Sequence, residues 1–353
     1  MELHQRINAF SALGQFLEQF TSETPEKKDA VLNNDSFFSE MQQKMQTAKH
    51  HNGWFTEDNL YFTCKSWAEA LTEENINKWA ANYSIPEVEP KTVAIIMAGN
   101  IPLVGFHDFL SVLLTGNKVL AKLSSNDKQL LPFLAKYLIS VEPDFKNLIE
   151  FTEGRLTDFD AVIATGSDNT ARYFDYYFSK YPNIIRKNRN SVAVLTGNET
   201  KEEMELLAND IFRYFGLGCR NVSKIFLPEK YEYDQFFNGM FSWKHVINNH
   251  KYINNYDYNK AVYLMSNINL LDNEYLLLKE DTGYSSPISV TFYETYSKLE
   301  DVKQKLETES DKIQAIVSNA GIDNEISFGE AQQPELWDYA DGVDTVAFLL
   351  KLS

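Results

Sequence analysis

The sequence predicts an α/β protein made of two α/β domains with Rossmann-like parallel sheets. Three observations carry this expectation. Short apolar runs, the first at residues 92–99, end in glycine or small polar residues, as strands covered on both faces do. Each run leads through a turn into a stretch with helical spacing, and the unit recurs between residues 92 and 178. A chain of 353 residues is also long enough for two domains of ordinary size.

Taken in order, residues 1–85 read as polar helices. Leu3, Ile7, Phe10, Leu13, Phe16, Leu17 and Phe20 recur on one helical face. Thr56 and Thr72, each followed by acidic residues, mark helix starts. From Pro90 the pattern changes. A strand at 92–99 is followed by Asn100-Ile101-Pro102, a helix at 104–114 closed by Gly116-Asn117, and a strand at 118–123. Ser124-Ser125-Asn126-Asp127 is expected to cap a helix over 128–140. Strands at 149–151 and 161–164 come next, and Thr165-Gly166-Ser167-Asp168 opens a helix at 169–178. A strand at 191–195 and a Glu-rich helix near 200–214 deliver the chain to residues 215–221. Further strands are expected at 262–264, 288–292 and 314–317, with a helix near 298–307 and an apolar tail at 346–350. A boundary between the two α/β domains is placed near 195.

Composition narrows the function classes. Hydrophobic residues make up 44% and charged residues 24%, an ordinary globular balance. With 33 basic against 50 acidic residues the net charge is −17, which argues against a broad nucleic-acid or anionic-lipid surface. Two cysteines, Cys64 and Cys219, are too few for a disulfide framework and have no metal-ligand spacing. The first residues lack the pattern of a secretory signal, and no stretch approaches the ~20 apolar residues of a membrane span. The expectation is a cytoplasmic protein acting on a small molecule, with no nucleic acid, metal or membrane span.

Chemistry is concentrated at Phe215-Gly216-Leu217-Gly218-Cys219-Arg220-Asn221, ahead of the apolar run 222–228. Glycines before a cysteine allow unusual backbone angles and close approach of a substrate. A thiol held there beside Arg220 could ionise, and the thiolate is the reactive form. The ordinary alternative is a buried structural cysteine.

The order Ala98-Gly99-Asn100-Ile101-Pro102, Lys122 at a strand end, Thr165-Gly166-Ser167 before a helix, and a cysteine after a glycine-rich turn resembles the aldehyde dehydrogenase superfamily. Within it, the chain is similar to the LuxC-like acyl-CoA reductases. Arg189-Asn190-Ser191-Val192-Ala193-Val194-Leu195, Asn254-Asn255-Tyr256-Asp257-Tyr258-Asn259-Lys260 and Glu335-Leu336-Trp337-Asp338-Tyr339-Ala340-Asp341-Gly342 support the narrower match. The likeness covers roughly residues 90–345. It implies Cys219 as nucleophile and Asn100 as an oxyanion donor. It also implies a cofactor site at Lys122, Ser124, Ser125, Thr165, Gly166 and Ser167. Each has a plainer alternative: an Asx turn at Asn100, a solvated strand end at Lys122, a helix cap at Gly166-Ser167.

The resemblance further implies a nicotinamide cofactor, an acyl-CoA substrate and an aldehyde product. Aldehyde-oxidising relatives carry a water-activating glutamate where Ile185 stands, so an acyl-enzyme should resist hydrolysis. NAD-preferring relatives carry an acidic residue at the position of Ser125. A neutral Ser125 with Ser124 and Lys122 therefore points to NADPH. In these terms residues 1–195 form a helical segment with an NADP(H)-binding domain, 196–330 the catalytic domain, and 331–353 a segment closing the active-site region. Homo-oligomers or acyl-transferring partner subunits are further implications. The alternatives are a CoA-acylating dehydrogenase running toward oxidation and a non-catalytic nucleotide-binding homologue. The general acid stays unassigned among His107, His245 and His250.

Overall fold

The structure, a computed structural model, describes residues 1–87 and 89–352. The helical face read at the start of the chain becomes α1 (Leu3–Leu17), whose Ile7, Phe10, Leu13, Phe16 and Leu17 are buried. Around it lie α2 (Asn34–His51), α3 (Glu57–Ala70) and α4 (Glu73–Ala80). Thr56 and Thr72 cap α3 and α4, accepting from the N–H groups of Asn59 and Asn75. The aromatic residues of this layer pack against later parts of the chain: Phe16 stacks on Tyr137 at 4.3 Å, and Trp67 meets Phe106 edge-on at 4.5 Å.

The alternating pattern then forms β1 (Thr92–Ile96), α5 (Phe106–Leu114), β2 (Lys118–Lys122), α6 (Leu130–Val141), β3 (Ile149–Phe151), β4 (Ala161–Thr165), α7 (Asp168–Phe178) and β5 (Asn183–Arg186). The sheet runs β3-β2-β1-β4-β5 and every pairing is parallel. The strand order reverses between β1 and β4, where open α/β sheets bind ligands at their carboxyl ends. The expected helix at 128–140 starts at Leu130 instead, with no side-chain cap on its preceding residue Gln129. Asp127 does the capping from further back, accepting from the N–H groups of Gln129 and Leu130.

A second unit, Asn188–Pro334, is separated from Met1–Lys187 with Glu335–Ser353. The division falls ahead of the strand expected at 191–195, because that strand, β6 (Asn190–Val194), hydrogen-bonds within the second sheet. The unit continues through α8 (Lys201–Phe212), β7 (Val222–Pro228), α9 (Tyr233–Gly239), α10 (His250–Met265), β8 (Leu270–Asp272), β9 (Leu277–Glu280), β10 (Val290–Tyr296), α11 (Leu299–Thr308), β11 (Ile313–Ser318) and β12 (Glu325–Ile326). Its sheet runs β12-β11-β6-β7-β10-β9-β8, parallel except for β8 against β9.

Residues 262–264 do not form the expected strand; they are the last turns of α10. Asn249 caps this helix, and Tyr252, Tyr256 and Asn259 form its buried stripe. The stripe fixes the helical register before the apolar triplet is reached, and Val262 and Leu264 are left exposed. The same side chains hold neighbouring loops: Tyr252 donates to Tyr275 O at 2.9 Å, Tyr256 to Asp272 at 2.7 Å, and Asn259 to Ile288 O at 3.0 Å.

The final segment joins the first unit and ends in α12 (Thr345–Leu350). Trp79 Nε1 donates to the Tyr339 hydroxyl at 2.7 Å, and Tyr83 donates to Asp344 at 2.8 Å. Arg186 at the end of β5 is buried, pairs with Asp108 of α5 at 2.5 Å, and donates to Thr345 Oγ1 and Ala340 O at 3.0 and 3.2 Å. Removing one partner of such a pair strands a buried charge, at a cost of about 3–5 kcal/mol. Asp108→Ala is therefore expected to lower urea-unfolding stability by about that amount, and a loss within experimental error would show that Arg186 does not depend on the pair.

Candidate active site

The approach to Cys219 is built from backbone that few side chains adopt. After α8, Tyr214 and Phe215 take φ of 54° and 60°, followed by Gly216 at 76° and Gly218 at 99°. Left-handed backbone suits glycine but costs on the order of 1–3 kcal/mol for other residues. Burial offsets it here: the Tyr214 and Phe215 side chains are both buried, and Phe215 packs on Tyr252 with ring centres 6.1 Å apart. The turn delivers Cys219 to the head of β7, a strand buried along nearly its whole length.

Cys219 itself is exposed and in no disulfide. Its carbonyl accepts from the Ser191 hydroxyl at 3.0 Å, and Asn221 N–H donates to Gly218 O at 3.3 Å. Arg220 reaches Ala331 O through Nη1 at 3.5 Å. Cys64, by contrast, is buried in α3, and burial pushes its thiol up to about 12. A thiol that stays protonated at neutral pH is a poor nucleophile. The two cysteines thus separate into one packing residue and one accessible thiol.

In the first unit, the register of β1 with β2 and β4 sets Ile96 beside Lys122 and Ala164. The segments after these strands therefore leave the same edge of the sheet. They carry Asn100, then Lys122, Ser124 and Ser125, then Thr165, Gly166 and Ser167, so every candidate of this unit is brought to one edge. Packing there is tight: a Cβ on Gly99 would lie 2.6 Å from Cβ and Oγ of Ser124, and one on Gly105 would meet Met97 at 2.6 Å. Ser124 is half-buried and Ser125 exposed.

The plainer alternatives fare unequally. Asn100 Oδ1 is buried without a hydrogen-bond partner, so it does not accept in an Asx turn. Leaving such an atom unpaired costs about 1–3 kcal/mol. Lys122 is a half-buried strand end whose Nζ donates to Gly154 O at 2.9 Å. Ser167 is the N-cap of α7, accepting from Thr170 N–H at 3.4 Å. Gly166 lies under that helix, where an added Cβ would be 3.0 Å from Thr170 and 3.1 Å from Phe174. Ile185, on the edge strand β5, is half-buried against the apolar cluster of Ala94, Val162 and Ala164. His107 Nε2 pairs with Leu336 O at 2.9 Å and its ring lies 5.4 Å from Trp79, a packing role.

Sequence reasoning missed two features that shape these loops: Asn52, and the reach of Asp127 beyond its expected capping. Asn52, buried at the end of α2, donates to Gly99 O at 3.2 Å and to Asn126 O at 3.5 Å. Asp127 also accepts from Leu103 N–H at 3.2 Å, and burial raises its carboxyl above the usual range against the pull of its backbone donors. Together they tie the loop after β1 to the loop after β2. Only the Ser-Ser-Asn-Asp turn hinted at this, and Asn52 carried no local signal.

A third missed residue is Asp210 of α8, which is wholly buried. Its two oxygens accept from Gly329 N–H at 2.7 Å and Ala331 N–H at 3.0 Å. Burial pushes this carboxyl up to about 7; the two donors oppose the rise and the charge of Glu330 adds to it. A carboxyl raised on folding supports the fold below its ordinary range near 4, and that support is lost as pH rises through about 7.

The stability difference between the natural protein and Asp210→Asn should therefore fall with pH. The expected slope is on the order of 1.4 kcal/mol per unit between pH ~5.5 and ~7. A pH-independent difference by urea unfolding would show an ordinary carboxylate.

Among the described residues no cluster of His, Cys, Asp and Glu could hold a metal ion, and no helix is long and apolar enough to cross a membrane. No curated protein matches the chain. Several solved structures share its fold. Aldehyde dehydrogenase 21 from Physcomitrella patens, in complex with succinate, is 12% identical at a TM-score of 0.66, covering 100% of this chain and 84% of that one. An acetylating aldehyde dehydrogenase from Geobacillus thermoglucosidasius is 11% identical at 0.63, covering 95% and 86%. An aldehyde dehydrogenase from Bacillus cereus, in complex with NAD+, is 14% identical at 0.60, covering 90% and 72%. These likenesses establish the aldehyde dehydrogenase fold. The family model of the LuxC acyl-CoA reductases matches residues 38–242, more than half of the sequence and including Asn100, Lys122 and Cys219. The chain belongs to the LuxC acyl-CoA reductase family.

Proposed function

We propose that the protein reduces an acyl-CoA thioester to an aldehyde with NADPH, through an acyl group held on Cys219. The observation that carries this is the exposed Cys219 on its left-handed turn, in a chain whose other cysteine is buried and inert. The Cys219 thiolate attacks the thioester carbonyl, the CoA thiolate departs, and the acyl group stays as a thioester on Sγ. The Cys219 backbone N–H and the Asn100 side-chain amide are assigned to the oxyanion formed in that attack. One such donor is worth about 3–4 kcal/mol.

A nicotinamide fits the residues of the first sheet. The strand order reverses between β1 and β4, Gly99 and Gly166 leave no room for side chains, and Ser167 opens α7. When bound, that group supplies the hydride that converts the acyl thioester to an aldehyde. Lys122, Ser124 and Ser125 would hold its adenosine end, and Thr165, Gly166 and Ser167 would lie along its nicotinamide half. No carboxylate stands at Ser125 to repel a 2′-phosphate, which favours NADPH. Ile185 supplies no general base, which favours transfer of the acyl group over hydrolysis. A fatty acyl chain is the proposed substrate class.

Turnover followed by nicotinamide absorbance with acetyl-, octanoyl- and palmitoyl-CoA tests the proposal. The expected result is reduction of at least one thioester, a higher kcat/KM with NADPH than with NADH, and loss of turnover in Cys219→Ala. Ser125→Glu should weaken NADPH use and spare NADH use. Equal cofactor preference unchanged by Ser125→Glu would remove the cofactor assignment. Oxidation of free aldehydes with CoA, without measurable thioester reduction, would favour an acylating dehydrogenase working in the opposite direction.

A further inference from the structure

Within the stretch Arg189-Asn190-Ser191-Val192, Ser191 occupies an unusual place. It is wholly buried near the start of β6, a central strand flanked by β7 and β11, where an apolar side chain would be ordinary. Its hydroxyl donates to Cys219 O at 3.0 Å, and its backbone N–H donates to Asn221 O at 3.2 Å. Both contacts go to the segment that carries the accessible thiol.

The ladder between β6 and β7 confirms that this position is special. Ser191 pairs with Val222 but Val192 pairs with Lys224, so the register shifts at Ser191. An extra residue in one strand re-aims the neighbouring side chains, and such irregularities recur beside functional sites. Here the shift coincides with the point where the head of β7 leaves the ladder for the Cys219 turn.

We infer that Ser191 is the positioning residue of Cys219: its hydroxyl fixes the peptide that follows the cysteine and so sets the direction of the thiol. On the other side of Cys219 the backbone is set by Gly218, whose φ of 99° admits few alternatives to glycine. Cys219 is thus held between a left-handed glycine and a carbonyl pinned to the sheet. Without the hydroxyl, the carbonyl can turn to water, because Cys219 is exposed, and the thiol loses its fixed bearing. Misplacing an attacking atom by about 1 Å can cost on the order of 100-fold in rate.

This assignment rests on Cys219 as the acyl acceptor, and the test separates the two claims. Single-turnover acylation is measured on the full chain with whichever of acetyl-, octanoyl- or palmitoyl-CoA acylates the natural protein fastest. Alkylation of Cys219 by iodoacetamide, a small reagent indifferent to direction, is followed in parallel by mass spectrometry. Ser191→Ala, which removes one atom from a buried site, should slow acylation by roughly 10- to 100-fold. Alkylation and the thermal midpoint should stay close to those of the natural protein. Ser191→Thr, which keeps the hydroxyl, should recover much of the acylation rate. Acylation unchanged in Ser191→Ala would overturn the inference, as would equal losses of acylation and alkylation. A natural protein that is alkylated but never acylated at Cys219 would instead overturn the acyl-acceptor role, and the inference with it.

Discussion

Between α8 and β7 the chain must leave a helix, reverse, and enter a buried central strand while keeping one thiol accessible. Left-handed backbone at Tyr214, Phe215, Gly216 and Gly218 accomplishes the reversal, and the candidate chemistry depends on it. Two of these residues have side chains for which the conformation is unfavourable, so packing has to hold them there. Their burial supplies that support. What the turn yields is an accessible sulfur on a backbone fixed by β6, rather than on a mobile loop.

A second constraint acts in the first unit. Parallel pairing sends the carboxyl ends of β1, β2 and β4 to one edge, so residues far apart in sequence share a neighbourhood. The loops at that edge are then joined to each other by Asn52, Asp127 and the Gly99–Ser124 contact. If the proposed cofactor binds at this edge, it meets a preorganised one, since few of its side chains must be ordered when a ligand arrives.

Much of this was legible in the sequence where the signal is local. Apolar runs ending in glycine or small polar residues gave β1, β2 and β4, and Thr56, Thr72 and Ser167 marked helix starts that the structure bears out as caps. Cys219 stood out because a Gly-x-Gly turn precedes it and an apolar run follows. The misses share one cause, which is dependence on distant partners. Residues 262–264 have strand-like composition, but the register of α10 is set upstream by Tyr252, Tyr256 and Asn259. β5 is only four residues long, and its Arg186 acquires meaning from Asp108 and Thr345. Asp210 and Ser191 sit in unremarkable local surroundings; their roles come from backbone groups at Gly329, Ala331 and Cys219 that no spacing rule connects to them.

The proposed chemistry requires Cys219 to hold an acyl group long enough to pass it on. Ile185 is half-buried against the apolar cluster of Ala94, Val162 and Ala164, and under the proposed function it stands in place of the base of hydrolytic relatives. The lifetime of the acyl-enzyme in water, without nicotinamide, is therefore the most direct measurement. The protein is mixed with acyl-CoA, separated from excess thioester, and followed by intact-mass and peptide mass spectrometry. The expected result is a thioester on Cys219 that persists until free CoA is added and then returns as acyl-CoA. Rapid release of the free carboxylic acid, or an acyl group found on Cys64, would contradict it.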